Sequence, residues 1–184
     1  MSKRLSLVLG GVRAGKSTYA QQLAAKGERV LFVATAEAGD ADMQARIEAH
    51  RESRPSDWDT LEEPVDLVEE LTLLLDRYDT VLLDCLTLWV SNLLLRDRDT
   101  DSSRKDILAE TRRLLDLYQS SNASWIVVSN EVGLGVVPTT TLGRVYADEL
   151  GRVNQLVAAK ADDVYFMAAG LPLELKSAKG KGDT

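Results

Sequence analysis

Leu5-Ser6-Leu7-Val8-Leu9 leads directly into Gly10-Gly11-Val12-Arg13-Ala14-Gly15-Lys16-Ser17, and Ser17–Lys26 continues with helical character. The octet fits G-x-x-x-x-G-K-[ST] at every fixed position. An apolar run before it and a helix after it separate a phosphate-binding loop from an accidental glycine-rich turn. The chemistry explains the spacing. Gly10, Gly11 and Gly15 let backbone N–H groups approach phosphate oxygens without a Cβ in the way. The helix that begins near Lys16 directs its positive end at the same anion. Lys16 brings a mobile charge to the β- and γ-phosphates, and the Ser17 hydroxyl is suited to Mg²⁺. Nucleotide contacts are therefore expected at Gly10, Gly11, Val12, Arg13, Ala14, Gly15, Lys16 and Ser17.

Working outward, four more short apolar runs follow: Val30–Ala34, Thr80–Leu83, Trp125–Val128 and Val164–Ala168. Each is too short for a stable helix, and continuous apolar runs suit strands covered on both faces of a parallel sheet. Between them Pro64–Arg77, Ser103–Gln119 and Leu142–Lys160 carry apolar residues at helical spacing, with Pro64 placed as a first helical residue. Leu86–Leu95 also reads as helix. The alternation predicts an α/β fold of the P-loop NTPase, RecA-like kind, a mostly parallel central sheet with helices on both faces. One catalytic domain is expected over residues 1–176, with 177–184 a flexible, Lys/Gly/Ser-rich tail. Arg96–Ser102 and Val136–Thr141 read as loops.

Composition narrows the partners. The 184 residues carry a net charge of −7, whereas a protein gripping a nucleic-acid backbone usually has a strong basic excess. Small-molecule partners are expected, and no nucleic acid. The single cysteine, Cys85, rules out an internal disulfide and reads as a buried small hydrophobe. No secretory leader and no bilayer-spanning run is seen, so a cytoplasmic protein is expected.

Two further positions carry candidate chemistry. Thr80-Val81-Leu82-Leu83-Asp84 is an apolar strand ending in a carboxylate, the form of a segment that holds Mg²⁺ beside the phosphates. The ordinary alternative is that Asp84 caps the helix that follows. The lone histidine, His50, lies in a helical stretch, Asp42–Ser53, on the side of Met43 and Ile47. By spacing alone it reads as a packing residue. Its neighbours Arg46, Arg51 and Arg54 argue the other way, because they form a positive neighbourhood able to collect phosphate oxygens and to hold the imidazole neutral.

With these segments in order, the sequence resembles the bifunctional adenosylcobinamide kinase / adenosylcobinamide-phosphate guanylyltransferase family of cobalamin biosynthesis. Beyond the loop, the resemblance rests on Ala34-Thr35-Ala36, Arg46-Ile47 followed by His50, and Arg54-Pro55 with Trp58, Thr60 and Glu62. It continues through Leu83-Asp84-Cys85-Leu86-Thr87, Asn92-Leu93-Leu94 and Asn130-Glu131-Val132-Gly133 with Gly135 and Val137-Pro138. Gly151-Arg152-Val153-Asn154-Gln155 and Gly170-Leu171-Pro172 complete it.

The resemblance implies a covalent guanylyl intermediate on His50. It also implies nucleotide contacts at Ala34, Thr35, Ala36, Arg51, Glu52, Ser53, Arg54, Glu62 and Asp84, with Lys16 catalytic and Mg²⁺ on Ser17 and Asp84. GTP or ATP and a corrinoid are then substrates, with no tightly bound organic cofactor, in a homo-oligomer for which the resemblance suggests a trimer. Because the loop holds β- and γ-phosphates while His50 must meet the α-phosphorus, either Gly39–Trp58 moves or the nucleotide takes two poses. Competing readings are another small-molecule P-loop kinase with a structural His50, and a GTP-dependent switch without transferase activity. Asn130–Pro138 reads equally as plain loop or as lining of the corrinoid site. Arg144, Asp148 and Arg152 form a stripe that reads as a solvated face, with Arg152 a modest candidate for substrate or subunit contact.

Overall fold

The computed structural model describes residues 3–37, 48, 51, 54–96 and 100–178, and within them the alternating runs assemble into one seven-stranded sheet. The strands are β1 (Leu5–Gly10), β2 (Val30–Ala34), β3 (Asp59–Glu62), β4 (Thr80–Asp84), β5 (Ser124–Val128), β6 (Asp163–Ala168) and β7 (Leu171–Lys176). Their spatial order is β3-β2-β4-β5-β1-β6-β7. All neighbours pair in parallel except β6 and β7, which are antiparallel. The described helices are α1 (Lys16–Ala24), α2 (Leu67–Leu74), α3 (Leu86–Arg96), α4 (Thr100–Ser120) and α5 (Thr141–Lys160). Residues 1–2, 38–47, 49–50, 52–53, 97–99 and 179–184 fall outside this description, and with them most of the Asp42–Ser53 reading and the tail beyond Ala178.

Strand alternation sorts the core into two layers. Leu5, Leu7, Leu31, Val33, Val81, Leu83, Trp125 and Val127 face α2, α3, α4 and α5, where Leu71, Trp89, Leu114 and Val153 meet them. Val8, Phe32, Ala34, Leu82, Ile126 and Val128 face α1, which contributes Ala20 and Ala24. Helices thus cover both faces, as expected; of the described helices α1–α5, four lie on one face and α1 on the other. Trp89 is fully buried and donates its indole N–H to the Val65 carbonyl at 2.9 Å, so the ring packs without stranding a polar atom.

Two strands have no counterpart among the apolar runs. β3 is Asp-Thr-Leu-Glu on the sheet edge, mostly exposed, and its pairing with β2 holds it in place. β7 is exposed along its whole length and contains Pro172, which an edge strand tolerates. It closes through a tight turn in which Ala169 and Gly170 both have positive φ, 51° and 82°, the conformation favoured in two-residue hairpins. Pro64 is not the first residue of a helix. The Glu63 carboxylate accepts the N–H groups of Val65 and Asp66, each at 2.8 Å, and α2 starts only at Leu67. The loop reading of 96–102 also ends early, since α4 already begins at Thr100. No helix among the described residues is long and apolar enough to cross a membrane.

Candidate functional site

β1 delivers the glycine-rich loop to the C-terminal edge of the sheet. Gly10 has φ 151°, and a Cβ there would lie 2.6 Å from the Met167 carbonyl oxygen. Gly15 has φ 93°, and its Cβ would come within 3.1 Å of the Gly170 Cα. Neither position accommodates a side chain. Gly11 differs, since a Cβ there meets no protein atom within 4 Å, so packing within the chain does not require glycine at that point. The loop is braced from outside, because the Gly170 N–H donates to the Ala14 carbonyl at 3.1 Å.

α1 opens at Lys16 with no side-chain cap and no acidic residue in its first turn. Its first amides are therefore available to an anion at the positive end of the helix. Lys16 is buried and its ammonium donates to the Gly11 carbonyl at 2.7 Å. Burial pulls its pKa below the usual lysine value, opposed by the negative charge of Asp84.

Strand order settles where Asp84 lies. β4 is separated from β1 by β5 alone, about two strand spacings or ~10 Å. Leu82 belongs to the layer under α1, so Asp84, two residues on, points to that same face. Asp84 pairs in register with Ala34, which in turn pairs with Glu62, so both carboxylates lie along one edge on the face of the phosphate loop. Asp84 Oδ2 is buried and has no hydrogen-bond partner. Reading Asp84 as a mere helix cap does not account for this atom.

The same face gathers the arginines. Arg54 stacks its guanidinium over Phe32 at 3.8 Å, with its Nε buried and unpartnered. Burial lowers its pKa, while the charges of Glu62 and Asp84 act in the opposite sense. Arg51 forms a double hydrogen bond with Glu62. His50, Glu52 and Ser53 lie outside the described residues. Ala34 is buried at the end of β2, and Ala36 follows two residues later, half-buried.

Thr35 is fully buried, and its hydroxyl is committed to the backbone of Cys85. It accepts from the Cys85 N–H at 2.9 Å and donates to the Cys85 carbonyl at 2.7 Å. Thr35 therefore holds the chain immediately after Asp84. Asn92 adds a second brace by donating to the Thr35 and Pro64 carbonyls at 2.9 and 3.0 Å. Burial, reinforced by Asp84, pushes the Cys85 thiol up to about 11, so it is protonated and not a nucleophile at neutral pH.

Magnesium fits this donor set. Among the described residues no cluster of three or more His, Cys, Asp or Glu is placed to cage a metal. A buried unpartnered carboxylate oxygen on Asp84 and the hydroxyl of half-buried Ser17 are sparse donors of the kind Mg²⁺ takes when phosphates complete its shell. A groove of about 620 Å³, lined by residues including Arg4, Lys26, Asp79 and Tyr165, opens at the opposite, N-terminal edge of the strands. Its charges are largely paired internally, Arg4 with Asp163 and Asp79 with the Glu28 and Arg29 amides.

Of the helical stripe, Arg144 bonds the Pro138 and Thr139 carbonyls and Arg152 bonds Glu149. Both are engaged within their own protomer. Within Asn130–Pro138, the segment read equally as plain loop or corrinoid lining, the Glu131 N–H donates to the Gly10 carbonyl at 3.2 Å, beside the phosphate loop. The signal was an acid three residues beyond the end of the β5 run.

Fold and site together define an α/β protein of the P-loop class, built to hold a nucleoside triphosphate on the α1 face of its sheet. The chain belongs to the cobinamide kinase / cobinamide phosphate guanyltransferase family, whose model matches residues 6–175. It is 47% identical over 171 residues to the bifunctional adenosylcobalamin biosynthesis protein CobP of Pseudomonas aeruginosa, covering 92% of this chain and 96% of that one. To the bifunctional adenosylcobalamin biosynthesis protein CobU of Escherichia coli it is 39% identical over 178 residues, covering 92% and 98%. It is also similar to the crystal structure of the RadB recombinase, with a TM-score of 0.49 and 15% identity over 89% of this chain and 73% of that one.

Proposed function

We propose that this enzyme of adenosylcobalamin biosynthesis carries out two transfers at one nucleotide region. It phosphorylates adenosylcobinamide, and it moves GMP from GTP to the resulting adenosylcobinamide phosphate, giving adenosylcobinamide-GDP. The observation that carries this reading is the uncapped α1 N-terminus with Lys16, on the same side of the sheet as the buried Asp84 oxygen and separated from it by one intervening strand.

In the kinase step the γ-phosphoryl of ATP or GTP passes to the hydroxyl of the aminopropanol arm. Lys16 and the loop amides neutralise the charge that spreads over the phosphoryl oxygens. Ser17 and Asp84 would hold Mg²⁺, which would offset the negative charge of the phosphates. In the guanylyl step neutral His50 attacks the α-phosphorus and pyrophosphate leaves. The phosphate of adenosylcobinamide phosphate then displaces the imidazole. Division into two displacements predicts ping-pong kinetics for this half. Arg51 and Arg54 follow the nucleophile in sequence, and the Arg51–Glu62 pair ties Arg51 to the end of β3. Ala34, Thr35, Ala36, Glu52 and Ser53 complete the proposed nucleotide contacts. The enzyme works in the cytoplasm as a homo-oligomer, with a trimer implied by the resemblance, on a corrinoid and a nucleotide rather than on nucleic acid.

The test follows label from [γ-³²P]ATP into adenosylcobinamide with wild-type protein and Lys16→Ala. Transfer by the wild type and its loss in the variant support the kinase half. An unlabelled corrinoid with intact nucleotide binding would leave a nucleotide-dependent switch.

A further inference from the structure

We propose that Asn130 is a ligand of the terminal phosphate, its side-chain amide donating to the γ-phosphoryl oxygens during transfer; this rests on the kinase half of the reading above. β5 lies between the phosphate-loop strand and the Asp84 strand. Its pairing with β1 runs on past Val128, the Ser129 N–H donating to the Val8 carbonyl at 3.0 Å and the Glu131 N–H to the Gly10 carbonyl at 3.2 Å. Those two bonds put Asn130 level with Gly10, about 5 Å across the sheet. Val128 belongs to the layer under α1, so Asn130, two residues on, presents its side chain to that same face. Asp84 pairs with Val128, which leaves Asn130 one strand across and two residues beyond it, roughly 8 Å away.

The main chain at Asn130 is fixed by two buried side chains. Successive residues of a parallel strand turn their main-chain groups to opposite neighbours, so Ser129 and Glu131 bond to β1 while Asn130 turns towards β4. But β4 stops at Asp84. In place of a strand, Thr87 Oγ1 on α3 accepts the Asn130 N–H at 2.8 Å, and Asn154 Nδ2 on α5 donates to its carbonyl at 3.1 Å. Thr87 and Asn154 are each only 6% exposed. The Asn130 side-chain amide is not spent in this way. Among the described residues it makes no hydrogen bond, and Asn130 is half-buried.

The terminal phosphate belongs at this end of the loop. The lysine of such a loop reaches the β- and γ-phosphates, and Lys16 rests its ammonium on the Gly11 carbonyl at 2.7 Å, one residue from Gly10. A neutral donor suits the place, because it meets phosphate oxygens without adding to the negative charge of Asp84. In the transfer the acceptor oxygen forms a bond to the γ-phosphorus and its proton is released to water. The bond to the β-bridging oxygen breaks, its electron pair leaving on the nucleoside diphosphate. Asn130 exchanges no proton. It acts as a fixed dipole that needs no reorganisation as charge moves.

Asn130→Ala tests this, because Thr87 and Asn154 bond the main chain and their bonds survive the substitution. Affinity for GTP should fall about tenfold, the low end for a hydrogen bond to a charged group, while affinity for GDP stays within about twofold. Phosphorylation of adenosylcobinamide should fall on the order of 10²-fold or more in kcat, with the KM for adenosylcobinamide within about twofold. Asn130→Asp sets a carboxylate against the phosphate and should bind GTP more weakly than the alanine variant, again with GDP spared. An unchanged urea midpoint shows that both variants fold. The proposal is overturned if Asn130→Ala binds GTP within about twofold of wild type, loses GTP and GDP alike, or raises only the KM for the corrinoid. If the wild-type protein phosphorylates no corrinoid, the kinase reading fails, and the comparison of GTP with GDP still decides the role of Asn130.

Discussion

Replacing Thr35 by valine keeps the shape of a fully buried side chain and deletes its hydroxyl. The structure then leaves the Cys85 N–H without its acceptor, while the Cys85 carbonyl keeps a bond from the Trp89 N–H at 3.3 Å. An orphaned buried donor costs about 1–3 kcal/mol and the second lost bond about 1 kcal/mol, together roughly 2–4 kcal/mol. For a chain of this size that is a fall in melting temperature of roughly 4–16 °C. Thr35→Ser keeps both bonds and loses one methyl, so it should cost only about 1 kcal/mol. Urea unfolding midpoints, with m-values compared, read the difference directly. Because Cys85 follows Asp84, the stabilisation that Mg²⁺ adds to bound GTP should also shrink in the valine variant and persist in the serine variant. Wild-type stability in Thr35→Val would refute the reasoning, as would a Thr35→Ser protein as weak as Thr35→Val.

Three further outcomes follow from the same geometry. Gly10→Ala places a Cβ 2.6 Å from the Met167 carbonyl and should lower unfolding free energy by about 2 kcal/mol or more. Gly11→Ala should leave the urea midpoint nearly unchanged and weaken only nucleotide affinity in a titration. Asp84→Asn should abolish the extra thermal stabilisation by Mg²⁺ over GTP alone and reduce phosphoryl transfer at least ~100-fold, with Mg-free GTP binding retained. With the thiol raised from 9.0 to about 11, the Cys85 thiolate fraction at pH 8 drops about a hundredfold. Native alkylation by iodoacetamide should therefore be at least that much slower than in urea and should accelerate as pH rises towards 11; equal rates would contradict the burial of the sulfur.

The phosphate loop was legible because its glycines, lysine and serine sit at fixed offsets, each demanded by local backbone geometry. The five apolar strands were legible for a related reason, their continuous burial. That same continuity concealed the direction of Asp84: Thr80–Leu83 is buried on both sides, so no alternation tells which face the next residue takes. Strand order decided it, and order depends on contacts distant in sequence. β3 and β7 were missed because edge strands are exposed and lack the apolar signature. The Thr35 hydroxyl bonds a residue 50 positions away, a pairing that no local pattern encodes.

The central claim is that the loop at Lys16 and the imidazole of His50 act on one triphosphate. Trypsin should cut after Arg46 and Arg51, releasing Ile47-Glu48-Ala49-His50-Arg51. After incubation with GTP and Mg²⁺ and digestion at alkaline pH, mass spectrometry of this peptide should find GMP on His50. The modification should be acid-labile, discharged by adenosylcobinamide phosphate and absent when Lys16 is replaced by alanine. GMP on a different peptide, or none on any, would contradict the account.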